Sequence, residues 1–569
     1  MCGIFGVVGT TNKAAEVVMA GLKKLEYRGY DSWGITVKLD KKLVRERHVG
    51  KIGVAQTKLP ASNIGLGHTR WATHGGVTIG NAHPHLDCTQ TLSLVHNGIV
   101  ENFRPLKEKL IQNHKFLSET DTEVALHLIE EQAKHLTLLS AVKAAFKQIS
   151  GMNALILLSA KDNQLVAVKN GSPLIIGLGK DNNYISSDVW ALLDHTNQMI
   201  FLEDNQLAQI TGKQVKLFSV KTGKVIKPKI VTLDWQAEQS RLGRFHHYME
   251  KEIFDQPKII TNLASQDFTS LKKLIKPNKK TYFLGCGTAY YAALFAEYCF
   301  RLNGFEAEAV MASEYQKIVR LVKKDQLLIA LSQSGETIDI IESIKELKKK
   351  KIPIVALTNV LGSSLYRLAD YKVLLGAGQE VAVASTKAFT AKLAIILKLI
   401  GLDSGLIKAA AAMPLNRKKI RTLSQTIKDC EHIFIIGRGI SYPVALEAAL
   451  KIKEVSYIHA EAYAAGELKH GPIALIDKGT PAIVMAPNDE TLTDMISSAH
   501  EIKARGGLII GISPQDDPVF DIHLQVPDLK QATAIPMTVI AQLLAYDLAI
   551  ARGLNPDKPR NLAKSVTVK

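Results

Sequence analysis

Short apolar runs separated by glycine-rich turns fill the first 235 residues. Residues 3–8, 34–37, 92–95 and 154–158 have the length and composition of strands. Two segments, 13–25 and 122–135, carry the three- and four-residue apolar spacing of amphipathic helices. Strands in one set and helices in another predict an α+β layered domain. From about residue 281 the pattern changes. Apolar runs at 282–284, 326–331, 352–357 and 371–374 read as buried parallel strands with helical segments between them, which predicts doubly wound α/β layers. Between the two regions, 236–280 reads as a linker with a helix. Residues 241–253 are dense in charge and aromatics, and Gln256-Pro257 is expected to end that helix.

The α/β pattern recurs. YFLGCGTAY at 282–290 resembles FIIGRGISY at 434–442, each a strand, a Gly-x-Gly turn and the start of a helix. Similarity of this kind predicts two tandem copies of one unit. The expected boundaries are 2–235, 236–280, 281–415, 416–555 and a tail, 556–569, whose last residues from Asp557 read as exposed and polar.

At 569 residues the chain has the length of several domains, and 46% apolar with 22% charged residues is a soluble globular composition. No apolar run reaches the ~20 residues of a membrane span, and the start lacks the pattern of a signal peptide. Cys2, Cys88, Cys286, Cys299 and Cys430 show no CxxC spacing. A reducing compartment, the cytoplasm, is expected, with no disulfide framework or zinc knuckle. The formal charge of +17 is spread along the chain, which reads as a solvated surface rather than a nucleic-acid patch, and such a surface can equally attract anionic substrates. No nucleic-acid or membrane partner is expected.

Position 2 invites chemistry. Removal of Met1 would leave Cys2 with a free α-amine of pKa about 7.7–8.0. That amine can take the proton of its own thiol, as in amino-terminal threonine nucleophiles. A cysteine at position 2 is by itself more often incidental, so its company matters. Cys2-Gly3-Ile4, YRGYDS at 27–32, HTRWATHG at 68–75, His96-Asn97-Gly98 and Thr120-Asp121-Thr122 together resemble the glutaminase domain of class II amidotransferases. The resemblance covers nearly all of the first 235 residues and implies the amino-terminal nucleophile hydrolase fold, in αββα layers. It implies that Cys2 attacks the side-chain amide of L-glutamine. Asn97 and the Gly98 N–H would form the oxyanion hole, Arg70 would bind the α-carboxylate and Asp121 the α-ammonium. Trp71 and His74 would line the site or a path for ammonia. Plainer readings exist: Asn97-Gly98 suits a hairpin turn, Asp121 a helix N-cap and Arg70 a surface ion pair. His83-Pro84-His85 lacks further ligands nearby, so structural histidines and no metal are expected.

A second constellation follows an apolar run. SQSGET at 332–337 opens a helix with hydroxyls, a glycine and free N–H groups, a natural phosphate cradle or simply a capped helix start. Glu447, Lys451 and Glu454 fall on one helical face, which is ordinarily a solvated, salt-bridged one. With VASTK at 383–387, KIKE at 451–454, ELKHGP at 467–472 and RNLAKSVTV at 560–568, these motifs resemble tandem sugar isomerase (SIS, flavodoxin-like) domains of the glutamine–fructose-6-phosphate aminotransferase family. The resemblance assigns Ser332, Gln333, Ser334 and Thr337 to the phosphate of D-fructose 6-phosphate and Val383, Ala384 and Ser385 to the sugar. Two departures are visible. The family's Cys-Gly-Thr-Ser ends here in Ala289, and the usual acidic final residue is Lys569. Ala289 loses a phosphate-contacting hydroxyl, for which Thr288 could compensate. His470 would open the sugar ring, Lys564 would form a Schiff base, Glu454 would move a proton between C1 and C2, and Lys451 would stabilise the developing charge. No redox cofactor or metal is required. The family's His470 counterpart comes from a neighbouring subunit, which implies a homodimer with a composite sugar site.

The family reaction gives D-glucosamine 6-phosphate and L-glutamate, the first step toward UDP-N-acetylglucosamine. Ammonia would need a dry path between the centres, with Trp71 and the carboxyl-terminal tail as gate and plug. A phosphoribosyl amidotransferase, an aminosugar-phosphate deaminase and a sugar-phosphate sensor are the competing readings. The first lacks its pyrophosphate loop, the second would not need a glutaminase half, and the third would leave Cys2 and Lys564 without purpose.

Overall fold

Glycine placement lets the first strand start deep in its domain. In a computed structural model, which describes residues 2–233, 242–413 and 417–566, strand Gly3–Gly9 lies near the middle of an antiparallel sheet. Side chains of residues 317, 403 and 404, the expected boundaries at 235–236 and 415–416, Arg241, Thr567, Val568 and Lys569 lie outside the description. The chain divides into two units, residues 1–239 with 565–569, and residues 240–564.

The first unit has two antiparallel sheets, of eight and seven strands. Alternation along each strand sorts its residues between layers. Ile4 and Val8 of one sheet share a core with Val95, Ala154 and Ile156 of the other. Phe5 points the opposite way, against helix Ala14–Leu25, where a Cβ on Gly21 would come within 2.3 Å of its ring. The far face of the second sheet offers Leu94, Leu155 and Leu157 to helices Phe103–Leu110, Asp121–Ala133 and Leu138–Phe146. The result is the αββα sandwich of an amino-terminal nucleophile hydrolase. Phe103–Leu110 and Leu138–Phe146 are the helices that the reading of two helices omits.

The second unit holds two parallel sheets of five strands each. The first runs Ala307–Met311, Thr281–Gly285, Leu327–Ser332, Ile354–Thr358, Tyr371–Leu374. The second runs His459–Ala464, His432–Gly437, Pro481–Met485, Leu508–Ser513, Ile522–Gln525. In chain order both are 2-1-3-4-5, the flavodoxin-like order, whose reversal beside the first strand opens a crevice at the strand ends. The repeat read from 282–290 and 434–442 is therefore a repeat of fold.

Four expectations need correction. Pro257 does not end a helix but lies inside Tyr248–Ser265. Proline removes the bond to the carbonyl four residues back, and here that carbonyl, Ile253, accepts instead from the Gln256 side chain at 3.1 Å. Residues 371–374 are not buried: they form an edge strand, and Tyr371 is 43% exposed. The segment from Asp557 is not a free polar tail, because the Asp557 carboxylate accepts from the N–H groups of Tyr248 and Met249 at 2.8 and 2.7 Å, the open end of that helix. One helix, Lys530–Ala551, is long and apolar enough to cross a membrane, but 89% of its apolar window is buried inside the protein. It packs on helix Ser441–Ser456, and neighbours on every side favour an apolar surface all round.

Candidate functional site

Cys2 stands immediately ahead of the central strand. The Gly3 N–H donates to Thr69 Oγ1 at 3.1 Å, and a Cβ on Gly3 would come within 2.6 Å of that oxygen. A glycine after Cys2 is what lets the strand begin so close. The Trp71 N–H donates to Cys2 Sγ at 3.2 Å. Gly29 makes room for this segment, since a Cβ there would lie 2.8 Å from the Trp71 nitrogen. Burial pushes the Cys2 thiol pKa up, while the Trp71 N–H and the Arg70 guanidinium pull it down.

Asn97 and Gly98 close strand Leu92–Gly98 and are not a turn. Asn97 Nδ2 donates to the Cys2 carbonyl at 3.0 Å. His68 fixes that orientation. Its Nε2 faces two acceptors, the His96 carbonyl at 3.0 Å and Asn97 Oδ1 at 3.1 Å, so Nε2 carries the proton. Burial brings the His68 pKa down to about 3, which keeps the ring neutral. Gly98 has φ +139°, and a Cβ would sit 2.0 Å from the Met152 carbonyl oxygen.

Arg70 is only 3% exposed, so it is not a surface pair. It donates to the carbonyls of Gly76, His74 and Gly75 at 3.0, 2.5 and 2.9 Å, wrapping the following loop around its guanidinium. Trp71 is half-buried in that loop, edge-on to Tyr30 at 5.5 Å, and the His74 ring meets Phe103 at 5.2 Å. Asp121 is the first residue of its helix. Thr120 is the cap, accepting from the Glu123 N–H, while Asp121 accepts from the Val100 N–H at 2.7 Å and so ties the helix to the segment after Gly98. His83 and His85 are buried; His83 lies against His68 at 4.2 Å, and His85 Nε2 meets Thr120 Oγ1 at 3.0 Å.

In the second unit the face of Glu447, Lys451 and Glu454 is not solvated. Glu447 and Lys451 are each 1% exposed. Lys451 Nζ lies 2.5 Å from Glu454 and 3.4 Å from Glu447, and donates to Thr288 Oγ1 at 3.1 Å. Thr288 in turn donates to Glu447 at 3.2 Å, so its hydroxyl belongs to this cluster and is not free to replace the one missing at Ala289. Burial raises the Glu447 pKa to about 7, despite Lys451.

The Lys564 side chain is also buried. It donates to Glu380 at 2.7 Å and to the Ala382 carbonyl at 2.7 Å, the latter just before Val383, Ala384 and Ser385. Glu380 organises that loop: it accepts from Ser385 Oγ and from the N–H groups of Thr386 and Ala388. Burial would raise its pKa, but Lys564 and these donors outweigh burial and hold it at about 2. Glu252 accepts from the N–H groups of Val381 and Ala382, and burial pushes its pKa up.

Ser332 ends the third strand in chain order, beside the reversal point. Its Oγ accepts from the Gly335 N–H at 2.9 Å and meets Thr337 Oγ1 at 3.2 Å; Ser334 Oγ accepts from the Glu336 N–H at 3.1 Å. Gly335, at φ +66°, is obligatory, because a Cβ would lie 2.1 Å from Ser363 Oγ. Gln333 is half-buried in the same loop, and Thr337 opens helix Ile338–Lys349 without a side-chain cap. His470 ends a short 3-10 helix, exposed, with no side-chain hydrogen bond among the described residues. No described contact joins it to Lys451, Glu454 or Lys564.

His68, Glu252, Glu380 and Lys392 are the participants that sequence reading missed. Lys392 is 1% exposed on helix Lys387–Leu399, its pKa brought down to about 8 by burial, with Glu380, Glu447, Lys564 and Lys451 around it.

Comparison with known proteins supplies the family. The SIS domain family matches residues 273–400 and 426–552, and the glutamine amidotransferase domain family matches 42–228, which begins after Cys2. The chain is 40% identical to the glutamine–fructose-6-phosphate aminotransferase (isomerizing) of Pyrococcus horikoshii, covering 100% of both chains. It is equally 40% identical to the Escherichia coli K12 protein of that name, again over 100% of both. The solved carboxyl-terminal domain of the Francisella tularensis glucosamine-fructose-6-phosphate aminotransferase covers 56% of this chain and is covered completely, at 35% identity and a TM-score of 0.52. With a glutamine amidotransferase domain followed by two SIS domains, and full-length identity of this order, the chain belongs to the glutamine–fructose-6-phosphate aminotransferase (isomerizing) family.

Proposed function

We propose that this chain transfers the amide nitrogen of L-glutamine to D-fructose 6-phosphate and isomerises the product to D-glucosamine 6-phosphate, releasing L-glutamate. The observation that carries the reading is a pair of buried lysine–carboxylate clusters, Lys564–Glu380 and Lys451–Glu454, in a unit of two SIS folds. A hydrolase of glutamine alone needs neither.

With Met1 removed, the Cys2 α-amine takes the thiol proton and the thiolate attacks the amide carbon. Asn97 Nδ2, already held at the Cys2 backbone by His68, keeps a second N–H for the oxyanion, with the Gly98 N–H beside it. The proton passes to the leaving ammonia, and water releases glutamate from the thioester. Arg70 and Asp121 take the α-carboxylate and α-ammonium, Arg70 through donors now on loop carbonyls, so the loop bearing Trp71 and His74 closes with the substrate.

Ser332, Gln333, Ser334 and Thr337 hold the phosphate at the open helix end. His470, supplied by a second copy in a homodimer, opens the ring. Lys564, released from Glu380, condenses with the C2 ketone and loses water; ammonia then displaces the lysine. Glu454 removes a proton from C1 and returns one to C2, with Lys451 beside the developing charge. Val383, Ala384 and Ser385 line the sugar, and the cytoplasm is the compartment of the reaction. The domain bounds are proposed as 2–235, 281–415 and 416–555.

Incubation with glutamine and fructose 6-phosphate, followed by mass-spectrometric product analysis, tests this. Equal amounts of glutamate and glucosamine 6-phosphate are expected, and Cys2→Ala abolishes both. Glutamate formed without any aminosugar would overturn the proposal.

A further inference from the structure

Four side chains of the first unit that belong to neither centre converge: Cys88, His114, His127 and Glu130 present one ligand atom each, all within 4.8 Å of one another. Three different elements supply them. Cys88 lies in the turn between strands His85–Leu86 and Leu92–Gly98. His114 follows helix Phe103–Leu110, and His127 and Glu130 share a face of helix Asp121–Ala133. Cys88 Sγ is 3.7 Å from His114 Nδ1 and 3.8 Å from His127 Nδ1. Glu130 Oε2 is 3.0 and 2.8 Å from the same two nitrogens. A tetrahedron with zinc–sulfur and zinc–nitrogen bonds has edges of roughly 3.3–3.6 Å. The two sulfur–nitrogen edges are near that value, the two nitrogen–carboxylate edges are shorter by a few tenths of an ångström, and metal binding would draw in the remaining pairs, which lie within 4.8 Å.

The surroundings are those of a ligand set. Both histidines aim Nδ1 inward and turn Nε2 toward a carboxylate: His114 to Glu131 at 3.0 Å and His127 to Glu123 at 3.7 Å. An outer carboxylate within hydrogen-bond distance, as Glu131 is to His114, fixes the tautomer that leaves the inner nitrogen free for a metal. His127 Nε2 is buried and has no hydrogen bond among the described residues, although the ring is only 1% exposed. One thiolate and one carboxylate with two neutral imidazoles would neutralise a divalent cation, and a thiolate–imidazole set favours zinc over magnesium or calcium. His114, His127 and Glu130 are buried while Cys88 is exposed, which gives a cation a way in.

We propose that Cys88, His114, His127 and Glu130 form a structural zinc site. Four protein ligands leave no open position, so its role is to clip the helix that begins at Thr120 and Asp121 to the turn that leads into Asn97 and Gly98. The spacing, 26, 13 and 3 residues apart, matches no short zinc motif and hides the set in the sequence.

Metal analysis of the full-length chain, purified without a histidine tag and reconstituted with zinc after chelation, tests this. One zinc per chain is expected, with a rise in melting temperature on adding zinc. Replacement by cobalt should give a thiolate-to-cobalt charge-transfer band that Cys88→Ser removes, and Glu131→Gln should weaken zinc binding about 10–100-fold. Reconstituted wild-type chain without stoichiometric zinc, or with cobalt bound but no such band, would overturn the site. So would zinc retained undiminished by Cys88→Ser.

Discussion

A methyl group at Gly98 would press on the Met152 carbonyl at 2.0 Å, in a backbone that side chains rarely adopt. Gly98→Ala is therefore expected to strain the strand end by about 1–3 kcal/mol and displace the N–H beside Cys2. Glutamine hydrolysis should fall by roughly 10²–10³, while binding of fructose 6-phosphate is unchanged; a glutaminase assay with a parallel sugar-phosphate titration checks this. Ala289 asks for the reverse experiment. The Thr288 hydroxyl is engaged by Lys451 and Glu447. Ala289→Ser should lower KM for the sugar phosphate up to about tenfold, the value of one neutral hydrogen bond of 0.5–1.5 kcal/mol; no tightening would exclude that role. Residues whose type announces chemistry, such as Cys2, Asn97 and Lys564, were legible in the sequence. Glu380 was not, because its meaning is set by a lysine 184 positions away.

Helix Lys387–Leu399 is buried along its whole length, Lys392 included. The Lys392 pKa is about 8 in the folded chain against 10.5 unperturbed. The unfolded chain therefore binds more protons between those values, and stability rises as pH climbs through that window. The gain is roughly 2–4 kcal/mol. Lys392→Met should remove this part of the rise, read as the difference between wild-type and variant denaturant midpoints across the window; parallel curves would refute it. Helix Tyr248–Ser265 depends on Gln256, which donates to the Ile253 carbonyl freed by Pro257 and to Gln542, and accepts from Thr390. Gln256→Leu leaves these buried groups unpaired and should cost about 2–4 kcal/mol in the unfolding of the second unit. Periodicity revealed the first part of this helix but not its continuation past Pro257, since a proline normally breaks a helix and the rescuing side chain is visible only in three dimensions. Strand Ala307–Met311 was missed for a related reason: as an edge strand it is only partly buried and carries Glu308.

Over the whole molecule, the repeat of Gly-x-Gly turns foretold two sheets of one topology, because a strand–turn–helix unit leaves a strong local trace. The αββα unit was legible through its motifs more than its pattern, since antiparallel strands of two to eight residues give weak signals individually. The central helix Lys530–Ala551 escaped for the opposite reason: burial on all sides erases the periodicity that marks a surface helix. The charge of +17 suits a protein whose proposed sugar substrate is a phosphate dianion, and the rate of capture should fall as salt rises.

The central claim is that nitrogen released at Cys2 is the nitrogen placed on the sugar. Glutamine labelled with heavy nitrogen in its amide, turned over with fructose 6-phosphate in the presence of unlabelled ammonium, tests it most directly. The account predicts glucosamine 6-phosphate carrying the heavy label in nearly every molecule; an aminosugar drawn mainly from the unlabelled pool, or none formed while glutamine is consumed, would contradict it.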